Sequence, residues 1–170
     1  MPIATVQGYL QQLLDGLPMP PPLGVDPADS YVIPPDPNVQ TTTPAIYVWP
    51  TDIEEDRDPK RGGRSMPRNT GPGTFSGVKV ITHSMDLFVV WMGAGDDPSF
   101  TGIVDAVMDA LRFAAPMPTL ATDPNTGVVT QINDVGEVMR GKIFIRALDD
   151  EAWNRFDCLL TVPVIEEISA

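Results

Sequence analysis

Residues 78–111 constrain the fold more than any other stretch. Val78-Lys-Val-Ile-Thr-His-Ser-Met-Asp-Leu-Phe-Val-Val-Trp-Met92 alternates in polarity at first, then is apolar on both faces from Leu87 to Met92. Alternation with period two predicts a strand, and a two-sided apolar end predicts cover on both faces. Gly93-Ala-Gly-Asp-Asp-Pro98 then reads as a tight turn, in which Asp97 suits a helix N-cap and Pro98 the first helical position. Phe100, Ile103, Val104, Val107, Met108 and Leu111 fall on one stripe, with Ala106 and Ala110 beside it. That spacing predicts an amphipathic helix ending before Pro116.

Upstream, Ile3, Val6, Leu10, Leu13, Leu14 and Leu17 recur at helical spacing, with Gln11, Gln12 and Asp15 off the stripe. A helix is expected over 3–17, ended by Pro18. Residues 18–44 are Pro-rich and expected to be extended, with Val25, Tyr31, Val32 and Ile33 as apolar anchors. Ala45-Ile-Tyr-Val-Trp49 reads as a short strand ending at Pro50. Residues 51–77 are expected to be a long arm without regular structure, because Pro and Gly interrupt them and no hydrophobic period runs through them.

Downstream, 127–133, 137–147 and 154–162 read as strands, with 149–154 a turn or short helix and 164–168 an extension past Pro163. In the second strand Met139, Ile143 and Ile145 face one way, and Arg140, Lys142 and Arg146 the other. No internal repeat is visible. The order predicts one α+β domain over residues 1–170. Its sheet is mixed and mainly antiparallel, with two helices packed on one face and a long extended arm between two strands.

A hydrophobic share of 42% is too high for a disordered chain. The 19 prolines cluster at 18–22, 34–37 and 116–118 and through the arm, which marks connections. A net charge of −12 argues against non-specific phosphate binding and makes the chain repel DNA that passes near it. The arm is electrically split. Asp52, Glu54, Glu55 and Asp56 open it, and Lys60, Arg61, Arg64 and Arg68 follow with no acid between them. It reads either as a solvated loop or as a tether to an oppositely charged surface, such as a neighbouring copy. The basic row Arg140, Lys142 and Arg146 reads either as a second contact or as an ordinary solvent side.

The single cysteine, Cys158, excludes an intrachain disulfide and shares an apolar face with Phe156, Leu160 and Val162, so a buried structural thiol is expected. No apolar run reaches membrane-spanning length, and the first residues lack the basic region of a signal peptide. A protein cytosolic when made is expected.

The chemical motifs are weak. Gly93-Ala-Gly95 stands where a dinucleotide fingerprint would, but Pro98 replaces the third glycine, and Asp96 and Asp97 put negative charge at the phosphate position. His83, Ser84 and Asp86 cannot converge as a triad, because alternation puts His83 on one face and the other two on the opposite one. Asp123, Asn125 and Asp134 mimic parts of a calcium loop with the glycine misplaced and no closing Glu, so a hairpin turn is the better account. There is no P-loop, no nucleophile elbow and no Cys/His set for zinc. Neither an active site nor a cofactor is expected.

The strand Thr82-His-Ser-Met-Asp-Leu-Phe-Val-Val-Trp-Met92, the acidic turn and the helix from Phe100 to Leu111 together resemble the tail terminator proteins of long-tailed bacteriophages. In that family the strand often reads His-x-x-Asp-Leu-x-Val-x-Trp and the helix Phe-x-x-Ile-x-Asp-x-Val-x-x-x-Leu. The Pro-rich 18–44 segment and the arm depart from the family pattern. The resemblance implies a virion protein at the head-proximal end of the tail. It implies a homo-oligomer, a hexameric ring that caps the tail tube, stops its polymerisation and presents a surface to the head connector or stopper protein. The implied partners are further copies, the major tail tube protein and the connector, with DNA crossing the lumen without specific binding and no membrane involved. Six acidic copies would line such a lumen without holding DNA. A closed ring needs heterologous contacts, for which the arm charges and the Arg140, Lys142 and Arg146 row are the expected surfaces. The other readings are a different head-to-tail joining or completion protein, a small hydrolase using His83 or an acidic pair, and a host-derived adaptor that forms no ring.

Overall fold

The computed structural model describes residues 3–57, 78–94, 99–114, 117–122, 129–135, 140–147 and 153–169. Its spine is two long strands, β3 (Val78–Ala94) and β7 (Trp153–Ser169), paired antiparallel without a break from Val78↔Ser169 to Ala94↔Trp153. At about 3.3 Å per residue each spans about 55 Å. β2 (Ala45–Arg57) pairs antiparallel with the other flank of β3, and β1 (Asp29–Tyr31) runs parallel to the first three residues of β2.

The outer flank of β7 is shared. β6 (Arg140–Ala147) pairs with it from Asn154 to Thr161, and β5 (Val129–Val135) from Val164 to Ser169, with β4 (Met117–Thr122) beyond β5. The result is a mixed, mostly antiparallel seven-stranded sheet of order β1-β2-β3-β7-β5-β4, with β6 alongside β5 on β7. The helices α1 (Ile3–Leu14) and α2 (Ser99–Arg112) both pack on one of its faces, as the expected α+β arrangement requires.

Strand alternation explains the core. Met85, Leu87, Val89 and Trp91 of β3, Ile46 and Val48 of β2, and Phe156, Cys158, Leu160, Val162 and Val164 of β7 point to the helices. Val6, Leu10 and Leu14 of α1 and Phe100, Ile103, Val104, Val107 and Leu111 of α2 complete the cluster. Trp91, Phe100 and Phe156 form an aromatic knot with centroid distances of 5.3–6.5 Å. A Cβ added at Gly93 would collide with the Trp91 indole, so this glycine leaves room for the ring rather than for a phosphate.

The off-stripe residues of α1 tie it to the sheet edge. Gln7 donates through Nε2 to the Val48 carbonyl (3.1 Å), and Gln11 donates likewise to the Ser30 carbonyl (3.2 Å). The Ser30 backbone N–H donates to the Asp15 carboxylate at 3.0 Å. The helix ends earlier than the expected residue 17. Gly16, at φ 69°, takes the left-handed conformation and donates to the Ala28 carbonyl, which turns the chain before Pro18.

Two further differences, at β2 and in the short strands, share one cause, which is that tertiary pairing sets where strands stop. Residues 51–57 continue β2 rather than opening an arm. Pro50 does not end the strand because the register shifts between Pro50 and Asp52, and the resulting bulge tolerates a residue without an N–H. β7 runs through Pro163 as expected, and Pro163 stands at the handover where neither β5 nor β6 offers it a register partner. The short strands β1 and β4 lie in segments read from sequence as extended or connecting. The later part of the expected arm, 58–77, lies outside the described residues.

Candidate functional site

The residues that carried chemical suspicion are placed for structure. His83 is 1% exposed on the helix-facing side of β3, opposite Ile53 and Val164, while Ser84 and Asp86 are on the other face. Asp86 accepts a 2.7 Å hydrogen bond from the Thr161 hydroxyl across the strand pair. Cys158 is buried, as expected. Residues 123–128, which carry the calcium-like turn, lie outside the described residues. Among the described residues no group of His, Cys, Asp or Glu is arranged to hold a metal, and no helix is long and apolar enough to cross a membrane.

The face of the sheet away from the helices is divided. Its proximal half carries a small cluster of Ala45, Tyr47 and Val90, with Phe88 and Val39 packed on it. Val39 belongs to the Pro-rich segment, which crosses this face as a strap. Arg155 fastens the strap. Its side chain is 7% exposed, and its guanidinium donates to Asp157 at 2.7 Å and to the carbonyls of Asp36, Pro37 and Val39. Charge-assisted bonds of this kind are about twice as strong as neutral ones. Two more bonds hold the strap's end, Met92 N–H to the Thr41 carbonyl and Trp91 Nε1–H to the Thr42 carbonyl, at 2.7 and 2.8 Å. Burial of the Tyr47 ring, then the neighbouring Tyr31 and Asp36, raise the Tyr47 pKa above its ordinary value.

Sequence reasoning passed over Arg155. The signal was present: with Phe156 and Cys158 inward, alternation puts Arg155 and Asp157 together on the outer face two residues apart, the arrangement of a cation and its anchor.

The distal half of the same face carries the acidic positions. The bulge at Thr51, whose hydroxyl donates to the Ser84 carbonyl at 3.0 Å, resets the alternation of β2. Even-numbered residues Ile46 and Val48 face the helices before it, and Ile53 lies opposite buried His83 after it. Asp52, Glu54 and Asp56 therefore take register positions opposite Ser84, Thr82 and Val80, on the face away from the helices, while Glu55 lies opposite Ile81 on the helix side.

At the other edge, Arg140, Lys142 and Arg146 lie opposite Thr161, Leu159 and Arg155, also on the face away from the helices. The structure thus puts the Asp52, Glu54 and Asp56 row and the Arg140, Lys142 and Arg146 row on one face but at opposite edges, and does not bring them together within one chain. Lys60, Arg61, Arg64 and Arg68 lie outside the described residues. Near the acidic row, Trp49, Tyr31, Val32 and Ile33 are exposed by 37–53%, with Tyr31 stacked on Tyr47 at 5.3 Å.

No protein-family model matches the chain, and no curated protein matches it significantly. Among solved structures, a chain from the "Virion of native gene transfer agent (GTA) particle" is similar over 94% of this chain and 93% of that one, with 19% identity and a TM-score of 0.45. A likeness of that strength does not establish a shared fold, and the functional reading rests on the chain itself.

Proposed function

We propose that this protein is a structural virion subunit of the tail terminator type, one α+β domain that assembles as a ring, caps the tail tube, ends its growth and offers a surface to the head connector. The observation that supports this reading most is the division of one sheet face into a strapped proximal half, with the basic register positions of β6 at its edge, and a distal half with the acidic register positions of β2 at its edge. The buried helix-side face supplies stability. The acidic β2 edge and the basic β6 edge supply surface for other chains. The family resemblance of residues 82–111 supplies the particular assembly. Their Asp-Leu-x-Val-x-Trp strand and Phe-x-x-Ile helix account for Leu87, Val89, Trp91, Phe100 and Ile103 of the core.

In this reading the subunit and tube contacts use Asp52, Glu54, Glu55, Asp56, Lys60, Arg61, Arg64, Arg68, Arg140, Lys142 and Arg146. The protein does no chemistry and needs no cofactor. Its acidity keeps passing DNA from adhering to the ring. A head-to-tail completion protein of a different position in the joint shares every one of these features.

Negative-stain microscopy of the purified protein mixed with tail tubes tests the reading. The expected result is a ring at one end of each tube and no further elongation when tube protein is added. Tubes that stay bare and keep growing would rule out a terminator.

A further inference from the structure

We propose that a cavity at the proximal end of the sheet receives an arginine of the basic run Lys60–Arg68 from a second copy of this chain. This rests on the assembly reading above and specifies one of its copy-to-copy contacts.

The cavity holds about 340 Å³ and lies where β3 and β7 end, at the Ala94↔Trp153 pair. Trp91 and Met92 line it from β3, Trp153 from β7, and Leu23, Val25 and Asp26 from the segment after α1. The walls are held by the fold. Leu23 packs so closely on α2 that a Cβ added at Gly102 would come within 2.9 Å of it. Gly24 turns the chain at φ 62°, and the Trp91 indole is fixed by its bond to the Thr42 carbonyl. A concave, preformed site of this kind suits a ligand group rather than a flat contact.

The lining is apolar and aromatic with a single charge. Trp153 is 37% exposed, and Asp26 is exposed. Among the described residues Asp26 has no hydrogen bond or ion pair, and no cation lines the cavity. An arginine matches that set. Its aliphatic stem lies along apolar surface, its guanidinium stacks on an indole, and its fork pairs with a carboxylate.

The sequence supplies such a group. Lys60, Arg61, Arg64 and Arg68 follow one another with no acid between them, and Gly62 and Gly63 leave Arg61 and Arg64 without bulky neighbours. Reach decides whose run it is. Arg57 pairs with Lys79, so the segment that carries the run leaves and rejoins the sheet at its distal end. Gly93 stands about 50 Å along β3 from Val78. Arg68, ten residues from Val78, reaches at most about 36 Å, and Arg64, seven residues from Arg57, reaches less. A chain therefore cannot fill its own cavity, and the distal end of one copy meets the proximal end of another. Such a contact joins unlike surfaces, so repetition gives a closed ring or an open filament. A rotation axis along the strands would keep the two ends at different levels. A ring closed by this contact has its strands inclined to its axis.

A labelled synthetic peptide of residues 60–68, titrated with the full chain in low salt and followed by fluorescence anisotropy, is the test. Saturable binding is expected, and Asp26→Asn and Trp153→Leu should each weaken it about tenfold or more. Asp105→Asn, which removes an equal charge from the exposed side of α2, should change it less than about twofold. In sedimentation velocity Asp26→Asn should weaken self-association of the full chain as well. Circular dichroism verifies folding, and Asp26→Asn, at an exposed side chain without internal bonds, carries the test if Trp153→Leu does not fold. A peptide that does not bind, unchanged binding in Asp26→Asn, or an equal loss in Asp105→Asn would overturn the proposal. So would a full chain that stays monomeric. Peptide binding needs neither tubes nor a ring, so its failure removes the cavity contact and leaves the terminator reading to the capping assay. Asp26-dependent binding and association beside bare, growing tubes would support the contact and remove the terminator reading alone.

Discussion

Residues 85–91 and 78–84 of β3 belong to one continuous strand with the same two neighbours, yet they are finished differently. The proximal stretch is covered by α1 and α2 on one face and by the Arg155-fastened strap on the other. Among the described residues the hydrophobic cluster beneath the helices reaches Met85 and Val164, and the ladder continues for about 23 Å beyond Met85. Ile81 and His83 are buried there but stand outside that cluster, and the opposite face bears Thr82 and Ser84 beside the acidic positions of β2. The proximal half thus has cover on both faces from its own chain, and the distal half carries the ladder and the acidic register positions of β2 beyond that cover.

Truncating the core should separate the two halves most sharply. Leu87→Ala, at a fully buried site under the helices, is expected to cost about 2–5 kcal/mol in urea unfolding. Ile81→Ala should cost clearly less, and equal costs would erase the distinction. Next in size, Arg155→Met removes the charged anchor of the strap and strands Asp157. A loss of about 2 kcal/mol is expected, with faster amide exchange confined to residues 36–43. Smaller still for the monomer, Glu54→Gln should change unfolding free energy by less than about 0.5 kcal/mol while reducing assembly.

The smallest effect concerns pH. The Tyr47 pKa is raised in the fold, mainly by burial, so its contribution to stability is present below the pKa of the unfolded chain and lost as pH rises through the folded value. Alkaline unfolding above about pH 10 should therefore begin at the strap and be blunted in Tyr47→Phe.

Much of the fold was legible because burial writes itself into alternation. The strand 78–92, the α2 stripe, the inward Cys158 and the split between Ile143 and Lys142 follow from periods of two and 3.6 alone. The illegible parts depended on distant partners. Pro50 looks like a strand end until a bulge accommodates it. β1 has three residues, too few to show a period. Arg155 meets carbonyls more than a hundred positions away, and the local pattern announces only its pairing with Asp157. The charged residues of the candidate surface were visible as composition, but their division between two opposite edges of one face appeared only with the strand register.

Amide hydrogen exchange, measured on the free protein and on the protein bound to tail tubes, tests the division between the halves most directly. Residues 85–91 should be strongly protected in both states. Residues 52–57, in the distal half, should exchange readily when free and slow at least tenfold in the assembly. Unchanged exchange in 52–57, with the protein demonstrably bound, would contradict the account.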